Sequence, residues 1–142
     1  MRYLDTSILL AVLLPETGSD AAEMLMSSEG ETLAVSSWTE VELLSALGVK
    51  LRTKQVTKRE AQSAVDAYTY LVSPSLRILK INDADHQSAA ALMKGWQTAL
   101  RASDSLHLAI ASAHGATVFT FDQAMAKAAA TLGISVRLLG EI

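Results

Sequence analysis

Hydrophobic residues in this chain fall into two alternating patterns. Short unbroken apolar blocks have the look of strands buried on both faces, and longer stretches with apolar positions every three or four residues have the look of helices. Arg2-Tyr3-Leu4 predicts a first strand, followed by a helix that Thr6 or Ser7 can cap and that Pro15 terminates. A second helix is expected from Ser19 to Ser28, closed by Gly30, and Thr32 to Ser36 reads as the second strand. Ser37 and Glu40 form a capping box that opens a helix to about Thr53, with Val41, Leu44, Leu47 and Leu51 at helical spacing.

Thr57 and Glu60 make another capping box, for a helix expected to run to Ser73-Pro74. Leu76 to Ile81 alternates as a strand does, and Asn82 or Asp83 then caps a helix to Lys94. Ser103-Asp104 starts the next helix, Thr117 to Phe121 is a strand, Asp122 begins a helix that Gly133 ends, and Ile134 to Leu138 is the last strand. Strands alternating with helices predict an α/β fold: a central parallel β-sheet with helices on both faces, forming one domain over residues 1–142.

Composition sharpens this picture. Half of the 142 residues are hydrophobic but only 5% are aromatic, so the core must be built from aliphatic side chains and many alanines, which suits close helix packing. The net charge of -3 carries no global basic signature, so any nucleic-acid contact must be local. Without cysteine, a metal would have to be held by oxygen or imidazole. The run Ile8 to Leu14 is too short to span a bilayer and lacks a following cleavage site, so it is expected to be a buried helix of a soluble, cytoplasmic protein.

Parallel α/β sheets bind ligands beyond the carboxyl ends of their strands, where the strand order reverses. Asp5 and Asp122 leave two strands at that edge, Asp104 starts the helix before the second of them, and Glu42 lies on the helix after the second strand. Any one aspartate is well explained as a helix N-cap, worth about 1 kcal/mol. Gathered at one edge they would repel one another without a counter-ion, and a hard divalent cation would neutralise them. Glu40 and Glu42 point to nearly opposite sides of their helix, so only one can face the cleft; Glu40 has the capping role, whereas Glu42 shares its face with Ser45 and Ala46.

Four stretches, MRYLDTSILL, SSWTEVELLSAL, RASDSLHLAIASAHG and TVFTFDQAMAKAAATLGISV, carry a resemblance to the PIN-domain ribonucleases, specifically the VapC-type toxins of bacterial toxin–antitoxin pairs. It spans nearly the whole chain. The family's aspartate-Thr-Ser opening matches Asp5, Thr6 and Ser7. Its glutamate, three after a Thr and before a Leu, matches Glu42; its DALHLA-like run matches Asp104 to Ala109, with Ser105 in place of the usual alanine. Its last carboxylate, placed after a hydroxyl residue and one spacer, matches Asp122 after Thr120.

The resemblance implies Mg²⁺- or Mn²⁺-dependent endonucleolytic cutting of RNA, homodimerisation, and inhibition by a cognate VapB-like antitoxin. On this reading Asp5, Asp104 and Asp122 hold metal, and Glu42 orients a water or takes its proton. Thr6, Ser7 and Thr120 are supporting hydroxyls with an equally good structural reading as caps and strand residues. His107, one turn from Asp104, is expected to be a packed structural residue before it is a catalytic one, and His86 and His114 more so. Lys50, Arg52 and Lys54, with Lys58 and Arg59 beyond them, form either a solvated helix end or a local phosphate track. Trp38 and Trp96 could stack on bases, although packing is the better reading for each. Leu9, Leu13 and the helix face from Leu43 to Leu51 are candidate walls for an antitoxin groove.

Two other small α/β classes fail at fixed positions. A phospho-accepting receiver needs an acceptor Asp after the third strand, where LRILKIN has none, and a haloacid-dehalogenase-like phosphatase needs a second Asp where Ser7 stands. The remaining alternative is a catalytically inert module that keeps the fold for partner binding.

Overall fold

The computed structural model describes residues 1–140; the last two positions of the expected domain, 141 and 142, lie outside the described residues. Its five strands are β1 (Arg2–Leu4), β2 (Leu33–Ser36), β3 (Arg77–Leu79), β4 (Thr117–Thr120) and β5 (Val136–Leu138). They form one parallel sheet in the order β3-β2-β1-β4-β5. The chain winds outward from β1 in one direction through β2 and β3 and in the other through β4 and β5. The order therefore reverses between β1 and β4, where Leu4 pairs with Phe119.

Between the strands run α1 (Thr6–Leu13), α2 (Ser19–Ser27), α3 (Ser37–Arg52), α4 (Lys58–Ala67), α5 (Asp83–Met93), α6 (Ala102–Ala113) and α7 (Gln123–Thr131). Alternate side chains of the central strands enter two apolar cores, as the pleat requires. Leu4, Leu33, Val35 and Phe119 pack with α1, α3 and α4, whereas Tyr3, Ala34 and Val118 pack with α5, α6 and α7. All four residues of β2 are buried, which explains why that strand reads as an unbroken apolar run.

Several boundaries differ from the sequence reading for local reasons. Asp5, and neither Thr6 nor Ser7, caps α1, its Oδ1 accepting from the Thr6 N–H at 2.7 Å. The capping box of α3 is shifted back by one residue: Ser36 Oγ accepts from the Trp38 N–H at 3.3 Å, and Thr39 Oγ1 accepts from the Ser36 N–H at 3.2 Å. Glu40 is therefore an exposed first-turn acid without the reciprocal role expected of it.

The buried stripe of α3 is Thr39, Leu43 and Leu47, while Val41 and Leu44 are about half exposed. With Leu9, Leu43 and Leu47 sealed in the core, these three leucines cannot wall an antitoxin groove. The expected long helix ending at Ser73-Pro74 stops at Ala67 and widens into a π-turn over Tyr68–Val72 and a 3₁₀ turn over Ser73–Ser75. Pro74 lacks an N–H and its ring opposes the carbonyl four residues back, so a regular α-helix does not reach it. Among the described residues, no helix is long and apolar enough to cross a membrane.

Candidate active site

The carboxyl ends of β1 and β4 open onto one crevice, and Asp5 is the first residue past β1. Its backbone N–H donates to Phe119 O at 3.0 Å, which continues the β1–β4 ladder by one bond and fixes where the side chain emerges. The side chain is buried and held at both oxygens. Oδ1 takes the Thr6 N–H, while Oδ2 accepts from Ser7 Oγ at 2.8 Å and from Thr120 Oγ1 at 2.7 Å.

Those hydroxyls reach further. Ser7 Oγ also receives the N–H of Phe121 at 3.0 Å, and Thr120 Oγ1 receives the N–H of Asp122 at 2.9 Å. The start of α1 is thereby tied to the end of β4. Asp122 caps α7 by accepting from the Met125 N–H at 3.1 Å, so it does the work of an N-cap while standing at the same sheet edge as Asp5.

Glu42 sits in the second turn of α3, half-buried, on the side that looks back over the sheet edge. Its Oε1 accepts from Thr6 Oγ1 at 2.7 Å and is hydrogen-bonded to Nε2 of His107. Burial opposes its charge, but the hydrogen bond and proximity of His107, with the hydroxyls of Thr6 and Ser103, outweigh it and hold this carboxyl well below the usual carboxylate range. His107, fully buried on α6, also lies 3.9 Å from Asp5 Oδ1.

Asp104, one turn earlier on the same helix, experiences the opposite balance. Burial, then the charges of Asp5 and Asp122, push its carboxyl up to about 6; Arg101, 4.0 Å away and mostly exposed, opposes them, and Glu42 adds to the repulsion.

The donor set suits a divalent cation. Asp5, Glu42 and His107 each place one ligand atom so that all lie within 4.8 Å of one another. Asp104 and Asp122, expected from sequence to share the ion with Asp5, stand outside that trio, and the charge of Asp122 helps to raise the Asp104 carboxyl. Thr6, Ser7 and Thr120, read from sequence as ambiguous, all bond to the carboxylates. His107, expected to be a packed residue, is packed and also in contact with Glu42.

The other candidates lie elsewhere. Lys50 pairs with Glu16 at 3.3 Å beside a cleft of about 650 Å³ lined by Ser7, Leu10, Ala11 and Phe121. Arg52, Lys54, Lys58 and Arg59 are exposed at the far end of α3 and the start of α4. Trp38 packs against the core with its Nε1 buried and unpartnered, whereas Trp96 is 88% exposed. His86 bonds to the carbonyl of Asn82, and His114 ends α6 on the surface. The sequence reading missed Tyr3 and Ser36. Tyr3 bonds to both His107 and Ser36, and burial pushes its phenol above the ordinary range.

No curated protein matches the chain in sequence. Solved structures do match it in shape. FitAcB from Neisseria gonorrhoeae superposes with a TM-score of 0.73 at 23% identity, covering 96% of both chains. VapC20 from Mycobacterium tuberculosis, described as a sarcin-ricin loop cleaving toxin, superposes with a TM-score of 0.70 at 16% identity, over 94% of this chain and 96% of that one. VapBC2 from Rickettsia felis, solved with a DNA fragment from their promoter, gives 0.68 at 20% identity, over 98% and 99%. At such identities the likeness is one of fold. The PIN domain profile, however, matches residues 2–131 of the sequence itself, from β1 with its exit aspartate through the end of α7, and so the chain belongs to the PIN domain family.

Proposed function

We propose that this protein is a metal-dependent endoribonuclease of the VapC type, the toxin of a toxin–antitoxin pair, acting on RNA in the cytoplasm as a homodimer. One observation carries the reading: the carboxylates of Asp5 and Glu42, with His107 bonded to the second, cluster within 4.8 Å of one another at an edge where burial and then the charges of Asp5, Asp122 and Glu42 raise the Asp104 carboxyl. When bound there, Mg²⁺ or Mn²⁺ would neutralise that charge and supply Lewis-acid activation of water and of the scissile phosphate.

Each residue then has a definable task. Asp5, with both oxygens pinned, gives the ion a ligand of fixed direction. Asp104 and Asp122 add charge and hold the ion directly or through water. Glu42, with its depressed proton affinity, is a weak base and is better suited to orienting the attacking water than to taking its proton. Thr6, Ser7 and Thr120 keep these carboxylates from turning away.

The toxin assignment draws on the neighbouring folds, which include VapBC2 of Rickettsia felis and a toxin–antitoxin complex from Klebsiella pneumoniae. An antitoxin segment would find its apolar wall along the partly buried Leu10 and Phe121, in the cleft that opens beside Ser7. The basic side chains at Arg52 and Lys54 remain candidates for RNA phosphates.

Purified protein incubated with structured RNA in Mg²⁺, Mn²⁺ or chelator tests the activity. Discrete cuts that need metal and vanish in Asp5→Asn are expected; equal background from both proteins in every condition would leave a partner-binding module instead.

A further inference from the structure

We propose that Tyr3 is a positioning residue which, through His107 and Ser36, sets the alignment of Glu42 with Asp5 and Asp104. Tyr3 is fully buried in β1, two residues before Asp5. Its hydroxyl donates to Ser36 Oγ at 2.8 Å and is hydrogen-bonded with Nδ1 of His107 at 2.6 Å, the two rings lying 5.5 Å apart.

Each partner stands in or at the start of a helix that bears an acid. Ser36 is the N-cap of α3 and so fixes the start of the helix on which Glu42 lies. His107 lies on α6, one turn after Asp104, and its other nitrogen bonds to Glu42. The phenol therefore closes a ring of contacts: β1 to α3 through Ser36, β1 to α6 through His107, and α6 back to α3 through Glu42. One oxygen atom holds together the three elements that deliver Asp5, Glu42 and Asp104.

The surroundings make the link strong. Tyr3, Ser36 and His107 are each 1% exposed or less, so water cannot replace a missing partner. Removing the hydroxyl would leave α3 and α6 free to shift against β1 by the small distances that disrupt a metal site.

The inference depends on the nuclease reading only for its kinetic consequence, and Mn²⁺ affinity measured by electron paramagnetic resonance tests it without RNA. Tyr3→Phe, which keeps the buried ring, should weaken Mn²⁺ binding and lower kcat by roughly 10–100-fold, with KM for RNA little changed. Both imidazole nitrogens of His107 are taken by Tyr3 and Glu42 and neither is free for an ion, so His107→Gln, which retains an amide N–H for Glu42, should recover most of the affinity that His107→Leu loses.

Wild-type Mn²⁺ affinity in folded Tyr3→Phe would overturn the proposal, as would equal affinity in His107→Gln and His107→Leu. If Tyr3→Phe does not fold, the His107 pair decides. A wild type that binds Mn²⁺ but cuts no RNA would remove the nuclease reading and leave the positioning role standing. A wild type that binds no Mn²⁺ would remove both.

Discussion

Asp104 shows at the scale of one residue how the fold opposes its own charges. With its carboxyl raised from an unfolded value near 4 to about 6, the folded protein holds that proton more tightly than the unfolded chain does. Well below pH 4 both states are protonated and the group is neutral to stability; between about pH 4 and pH 6 the unfolded chain ionises while the folded state keeps its proton, so the folded state is progressively penalised, and fully so above 6. In chelator, urea unfolding of wild type against Asp104→Asn should therefore show the variant gaining up to about 3 kcal/mol relative to wild type between pH 4 and pH 7. A constant difference across that range would mean that neither burial nor the neighbouring acids raise the Asp104 carboxyl. Glu42, depressed by His107 and Thr6, contributes in the other direction: its stabilisation is present above the unfolded value and fades as pH falls below it. Gly18 is a second residue-scale case. Its backbone φ of -85° suits any residue, but an added Cβ would lie 2.6 Å from Cζ of Phe121, the neighbour of Thr120 and Asp122. Gly18→Ala should cost about 1–3 kcal/mol by displacing that ring, read as a lower urea midpoint.

Among the elements, α3 separates what a sequence pattern can specify from what it cannot. Ser36 and Ser37 are both hydroxyl residues at a strand-to-helix junction, and Ser37 with Glu40 is the better written capping box. Ser36 nevertheless caps, because β2 continues through it to pair with Leu79 and because the Tyr3 hydroxyl holds its side chain. Ser36→Ala should lower stability by roughly 1–2 kcal/mol, whereas Ser37→Ala should stay within about 0.5 kcal/mol of wild type, as measured by thermal or urea unfolding. The opposite ranking would restore the box at Ser37. The helix after Thr57 teaches the same lesson at its other end: its capping box with Glu60 is where the sequence places it, but the α-helix stops at Ala67 and widens over Tyr68–Val72 ahead of Pro74, where the proline alone had marked only the final stop.

For the whole molecule, the sheet order brings distant acids together at an energetic cost that a bound cation would relieve. Mn²⁺ at a hundredfold excess over its dissociation constant should stabilise the protein by about 2.7 kcal/mol, and Asp5→Asn should remove most of that gain, as read by unfolding with and without metal. The alternation of strands and helices, the parallel sheet and the exits of Asp5 and Asp122 were legible in the sequence, because local periodicity and turn chemistry depend on neighbours in the chain. Helical spacing showed that only one of Glu40 and Glu42 could face the sheet edge; the capping role that was to set Glu40 aside is absent, and the structure puts Glu42 there through Thr6 and His107. The trio of Asp5, Glu42 and His107 was not legible, nor was the Tyr3 hydroxyl at its centre. On an alanine-rich helix His107 reads as core, and it is core; its role depends on a phenol 104 residues away and a carboxylate 65 residues away. Such contacts exist only once β1, α3 and α6 have met, since hydrogen bonding acts across a few ångströms of space whatever the separation along the chain.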